Sequence, residues 1–129
     1  MPQKFARRGM GAFDTNLMLR TTADGSLNTT GTYTGVAVYE APADGFTVRI
    51  SVPAAAGTGP QLICIIQAAD TEVDGSYVTI AQTEGISSVG DYALRVSTQR
   101  TRIRLSAEVA GTTPDFGAVQ IGVVAGGFG

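Results

Sequence analysis

The sequence predicts an all-β protein: an antiparallel β-sandwich of about seven to eight strands, Ig-like or jelly roll, carrying an extended N-terminal arm. Three observations lead there. Apolar and polar residues alternate with a period of two in one window after another, and no window sustains the 3.6-residue period of an amphipathic helix. The composition leans on Val and Thr, which suit strands, and on Gly, which punctuates turns. Turn signals divide the chain into short segments at roughly 8–12-residue spacing, the pattern of a sandwich or barrel. The sandwich is assigned to residues 26–129 and the arm to residues 1–25.

Each element has its own pattern. A weak strand is expected near Leu17 to Thr22 and another near Val36 to Tyr39. Ala43-Asp44-Gly45 then turns into the clearest strand, where Phe46, Val48, Ile50 and Val52 alternate with Thr47, Arg49 and Ser51 until Pro53 closes it. Gly57-Thr58-Gly59-Pro60 reads as the turn before Leu62-Ile63-Cys64-Ile65-Ile66. That apolar run suits a strand covered on both faces, in a central position or at an oligomer contact. Val78 and Ile80, then Tyr92, Leu94 and Val96, then Ile103, Leu105, Ala107 and Val109 give three more alternating strands. Gly111-Thr112-Thr113-Pro114 reads as a turn before a last strand near Ala118 to Ala125. GTGP and GTTP echo each other, but no tandem repeat is evident.

Charge and composition exclude several classes. The net charge of −2 argues against bulk nucleic-acid binding, which usually shows a strongly basic domain. No apolar stretch approaches the ~20 residues of a membrane helix, and no apolar segment follows the basic N-terminus as a secretory signal requires. With one cysteine, Cys64, no intrachain disulfide forms, so a soluble protein made in a reducing compartment is expected.

Catalysis finds little to work with. There is no histidine to activate Cys64 and no phosphate-binding GxxxxGK[ST] motif. Asp70, Glu72 and Asp74, with Gly75 following, have the opening spacing of a calcium loop. The acid required at position twelve is replaced by Ala81, and the flanks read as strands, so a polar hairpin loop is the reading preferred to a metal site. The expectation is a protein with no enzyme activity, cofactor, metal or small-molecule substrate.

Two sets of residues are candidates for protein contact. Arg100, Arg102 and Arg104 are spaced two apart, so a strand puts them on one face, and Arg95 joins them if a single hairpin carries both strands. Like charges side by side in a sheet repel, so the stripe needs anions: Glu108, a neighbouring subunit's acids, or phosphates. Arginine's planar fork favours a protein partner. The second set is the arm. Residues 1–20 hold four cations against Asp14, a balance of +3, while the rest of the chain carries −5. Lys4, Arg7 and Arg8 stand there beside Phe5 and Phe13, apolar groups that a free tail usually lacks. Phe128, among glycines near the C-terminus, is a further small anchor.

These residues carry a resemblance. The stretch from about Ala43 to Ile121 resembles capsid cement (decoration) proteins of tailed bacteriophages, through ADGFTVRISV, GTGPQLICIIQAAD, DGSYVTIAQ and YALRVSTQRTRIRLSAEVAGTTPDF. The pattern is one of strands and turns: an apolar strand, a GTxP turn, a strand ending in Gln, an acidic DG hairpin with an aromatic, and an arginine-bearing hairpin before a GTTP turn. Tyr77 stands where the family usually has tryptophan, and residues 1–25 have no counterpart. The resemblance implies a head-stabilising protein on the outside of the virion capsid, assembled in the host cytoplasm. It would bind the major capsid protein where its subunits meet, as a homo-oligomer, a dimer or trimer. The alternative is a carbohydrate- or host-surface-binding module of a phage fibre or tail accessory. With no tryptophan, that reading depends on Tyr33 and Tyr39 being free.

Overall fold

The computed structural model describes residues 13–35, 39–40, 45–71 and 76–124. Among them the regular elements are strands β1 (Phe13–Arg20), β2 (Gly31–Thr34), β3 (Tyr39–Glu40), β4 (Phe46–Val52), β5 (Ala56–Ala69), β6 (Val78–Gln82), β7 (Gly90–Val96), β8 (Arg102–Asp115) and β9 (Gln120–Val124), with one 3-10 turn at Thr22–Asp24. All strand pairings are antiparallel. The all-β sandwich expected from the alternation is the fold observed.

Sheet A has the order β1-β9-β4-β7, and sheet B the order β2-β8-β5-β6, with β3 also on β8. β2 and β3 lie in line along one edge of β8, facing Ser106–Val109 and Arg102–Ile103 in turn. The nine strands therefore fill eight places, four per sheet. Numbered along the chain, the places read 1-8-3-6 in one sheet and 2-7-4-5 in the other. That is jelly-roll connectivity, which decides between the two topologies open from the sequence.

The core lies between the sheets and follows from the pleat. Phe46, Val48, Ile50 and Val52 of β4 face Leu62, Cys64, Ile66 and Ala68 of β5, all buried. Ile103, Leu105, Ala107 and Val109 extend the layer along β8, and Ile121 and Val123 along β9. Leu27, Ile86, Phe116 and Val119 plug the ends from the connections. The apolar run 62–66 is explained by position: β5 sits between β8 and β6. Its outward residue Ile65 is only 8% exposed, although it stands outside the interior cluster.

Phe13–Arg20, the second half of the segment assigned to the arm, pairs with β9 as an edge strand of sheet A. The expected strand at 36–39 falls mostly outside the described residues. Tyr39 opens β3, while β2 lies earlier in the chain than any strand the pattern suggested there.

The two GTxP segments are not turns. They lie within β5 and β8 and face each other, with Ala56 opposite Asp115, Thr58 opposite Thr112 and Gln61 opposite Ala110. The register slips twice in this stretch, and the conformations match pairwise. Gly57 and Gly111 have φ of 108° and 118°; Gly59 and Thr113 have φ of 60° and 46°. A Cβ on Gly57 would strike the Thr113 and Thr112 carbonyls and the Pro114 Cα, and one on Gly111 would strike the Gly59 carbonyl and the Pro60 Cα. Each motif's glycine thus packs on the other motif's proline, in a local pseudo-two-fold. Beyond the slips the strands lead directly into β4 and β9, which are neighbours in sheet A. The bulges bend the ribbon from one sheet to the other. The echo seen in the sequence is this symmetric corner.

Candidate interaction surface

The arginine candidates fall on two surfaces, not one. β7 belongs to sheet A and β8 to sheet B. The connection between them crosses the sandwich and does not close a hairpin, so Arg95 does not share a face with Arg102 and Arg104. Alternation places a side chain inside or outside, but both sheets have an outside. The shared four-arginine face expected from a single hairpin is therefore replaced by two separate groups.

On sheet B, Arg102 and Arg104 project outward from β8, opposite Ala69 and Gln67 of β5. Arg104 is held on two sides. Its Nε donates to Gln67 Oε1 at 2.8 Å, and its guanidinium lies over the Tyr77 ring, 4.0 Å from the centroid. This stacking is a cation–π contact and fixes the plane of the fork. Glu40 of β3 stands across from Arg102. Arg100, in the connection before β8, reaches Asp70 Oδ2 at 3.6 Å with both groups well exposed. A local carboxylate thus meets Arg100, while Gln67 and Tyr77 brace Arg104. Glu108, the acid suggested for neutralising the stripe, lies farther along β8, opposite Thr32 and Ile63.

On sheet A the outward residues of β4 and β7 are Thr47, Arg49 and Ser51 beside Arg95, Ala93 and Asp91. Arg49 donates to Asp91 Oδ1 through Nε at 3.3 Å and Nη2 at 3.1 Å. Arg95 donates to Thr47 Oγ1 at 3.3 Å.

Of the arm candidates, Lys4, Phe5, Arg7 and Arg8 lie outside the described residues, as does Phe128. Phe13 begins β1, its backbone opposite Val124. Arg20, counted with the arm's positive charge, is 9% exposed. Its Nη2 donates to the Asp24 carbonyl at 3.3 Å and the Gly25 carbonyl at 2.9 Å, and its guanidinium sits 5.8 Å from the Tyr33 ring centroid. It fastens the end of β1 and is not a contact residue. The sequence offered no sign of this, because a buried arginine and an exposed one look alike in composition.

Cys64 is fully buried in the inner layer, and burial pushes its thiol up to about 12, against a smaller downward pull from the nearby Arg20 charge. A thiol so placed stays protonated and is a poor nucleophile. Its backbone pairs with Thr83 instead. Of the acidic loop, residues 72–75 lie outside the described part. Among the described residues no group of three or more metal-ligating side chains gathers, and no helix is long and apolar enough to cross a membrane. Among the described side chains, Tyr33 donates to the Thr29 carbonyl, Tyr92 donates to the Ser88 carbonyl and Tyr77 lies under Arg104; the Tyr39 side chain lies outside the described part.

No family model matches the chain, and no curated protein matches its sequence.

Proposed function

We propose that this chain is a capsid cement protein of a tailed bacteriophage, which binds the outer surface of the major capsid lattice and stabilises the head. The observation that carries this reading is the outer face of sheet B. Arg102 and Arg104 stand on a central strand of a rigid two-layer body, with Arg104 pre-oriented by Gln67 and Tyr77. Pre-oriented guanidinium groups are suited to carboxylates on a protein surface, because little side-chain entropy is lost on contact. The strand and motif pattern resembling cement proteins supports the same reading, and so does the jelly roll, an architecture that also builds capsid domains. A protein that binds only the assembled lattice stabilises it by mass action. Lys4, Phe5, Arg7 and Arg8 would add a second contact, raising the effective concentration of the body at the shell.

Jelly rolls also serve as lectins, so the fold alone does not choose. The tyrosines favour cement. Sugar binding uses open aromatic platforms, whereas the Tyr77 ring is covered by Arg104 and the Tyr33 and Tyr92 hydroxyls are tied to backbone carbonyls; the Tyr39 side chain lies outside the described part. Purified protein mixed with empty expanded capsids should co-sediment with them and leave a glycan array blank. Failure to co-sediment overturns the reading, and strong glycan signals would replace it with the surface-binding module.

A further inference from the structure

We propose that β7 is the pairing edge between two copies of this chain, joining their A sheets into one eight-stranded sheet about a two-fold axis at Ala93. This inference stands on the edges of the sandwich and does not depend on the cement reading.

Four edges bound the two sheets, and exposed edges invite strand addition unless something blunts them. Three are blunted. β1 pairs with β9 through two register slips, and β6 pairs with β5 through one. The described halves of the β2/β3 edge differ in register against β8. β7 differs from all three. It pairs with β4 residue by residue from Gly90 to Val96 with no slip, and among the described residues it pairs on that side only.

The charges on β7 select the partner. An antiparallel pairing keeps inward residues with inward ones only when positions of equal parity meet. Centring the pair on Ala93 sets Ala93 opposite its own copy, Tyr92 opposite Leu94, and Asp91 opposite Arg95. The last pair occurs twice, once on each side of the axis. Asp91 and Arg95 both project from the outer face, and Asp91 is 44% exposed. Two bonds from Arg49 fall on Asp91 Oδ1, and Oδ2 is the acceptor this pairing assigns to the copy's Arg95, whose Nη1 also holds Thr47 Oγ1 of its own chain. The strand is thus complementary to itself in this one register, and the contact closes on two copies without leaving a β7 edge open. Oppositely charged cross-strand neighbours add to the backbone hydrogen bonds that strand addition supplies.

Analytical ultracentrifugation of the full chain tests this by charge exchange. The wild type should sediment at twice the monomer mass. Arg95→Glu alone sets acid against acid, and Asp91→Arg alone sets base against base, so each should sediment as monomer while keeping the β circular-dichroism spectrum. An equimolar mixture of the two should return to dimer, because each strand then meets its opposite charges. As a second reading, Ala93→Cys should cross-link between copies on oxidation, since directly opposed positions lie within disulfide reach. Ala110→Cys, exposed on β8, should not. A monomeric wild type, an Arg95→Glu variant that keeps the wild-type mass, or a mixture that stays monomeric would overturn the proposal.

Discussion

The β4–β7 half of sheet A and, beyond its two slips, the β5–β8 half of sheet B from Gln61 to Ala69 are both regular antiparallel ladders, yet their outer faces are built differently. On sheet B, Ile65 and Ala69 are buried although they point away from the interior, and Arg104 is clamped between Gln67 and Tyr77. On sheet A, Ala93 and Arg95 of the edge strand are exposed, and the polar side chains make light contacts with one another. The difference follows from place in the sheet. β5 and β8 are central, so side chains on both flanks cover their outer face, and Arg104 there is fixed in orientation. β7 is terminal, so among the described residues it is paired on one flank only. A fixed cationic face is suited to a rigid partner such as a shell. An open, self-complementary edge is suited to a second copy.

The largest effect separating the two halves should be on stability. Ile65→Ala removes buried methyls from an outward position and should cost about 2–4 kcal/mol, near the range for interior aliphatic truncations. Ala93→Ser, equally outward but on β7, should leave monomer stability within about 0.5 kcal/mol. Urea unfolding measures both, at a protein concentration low enough to exclude association. Equal effects would mean that the outer faces are equivalent.

A smaller effect should appear at the corner that links the halves. Thr113 is the only described non-glycine residue with positive φ, while its counterpart Gly59 adopts the same conformation as glycine. A β-branched residue in that region costs roughly 1–2 kcal/mol, and glycine loses about 0.5–1 kcal/mol of that advantage through its freer unfolded chain. Thr113→Gly should therefore stabilise the protein by about 0.5 kcal/mol in the same assay. The reverse change, Gly59→Thr, should destabilise it by a similar amount, about 0.5 kcal/mol, for conformational reasons alone, because nothing lies within 4 Å of the added Cβ. A Thr113→Gly variant less stable than wild type would break the equivalence of the two motifs.

Much of the fold could be read before any coordinates. Phe46–Val52 alternates cleanly because one face meets the core and the other carries the polar outer layer of sheet A, and the run 62–66 marked a central strand because β5 is flanked by β8 and β6. What alternation could not supply was the sheet to which each strand belongs. In a jelly roll, consecutive strands mostly cross between sheets, so adjacency in sequence was a poor guide, and Arg95 was grouped with the wrong neighbours. Gly57 to Pro60 and Gly111 to Pro114 carry the composition of turns, yet bulged strands at a corner need the same positive φ and the same close backbone approach. The identity of the corner became visible only through its long-range pairing. Arg20 likewise needed the 3-10 turn and the Tyr33 ring to reveal that its charge is turned inward.

The direct test of the account is a binding titration onto empty expanded capsids. Arg102→Glu/Arg104→Glu reverses the sheet B face without touching the core or β7, and breaking a buried arginine–carboxylate pair at an interface costs about 2–5 kcal/mol. The double variant should keep its circular-dichroism spectrum and its oligomeric state and bind at least about 100-fold more weakly than wild type. Gln120→Glu, on the outer face of sheet A, should bind within about threefold of wild type. Undiminished binding by the double variant, or an equal weakening in both, would contradict the assignment of the sheet B arginines as the surface that holds the shell.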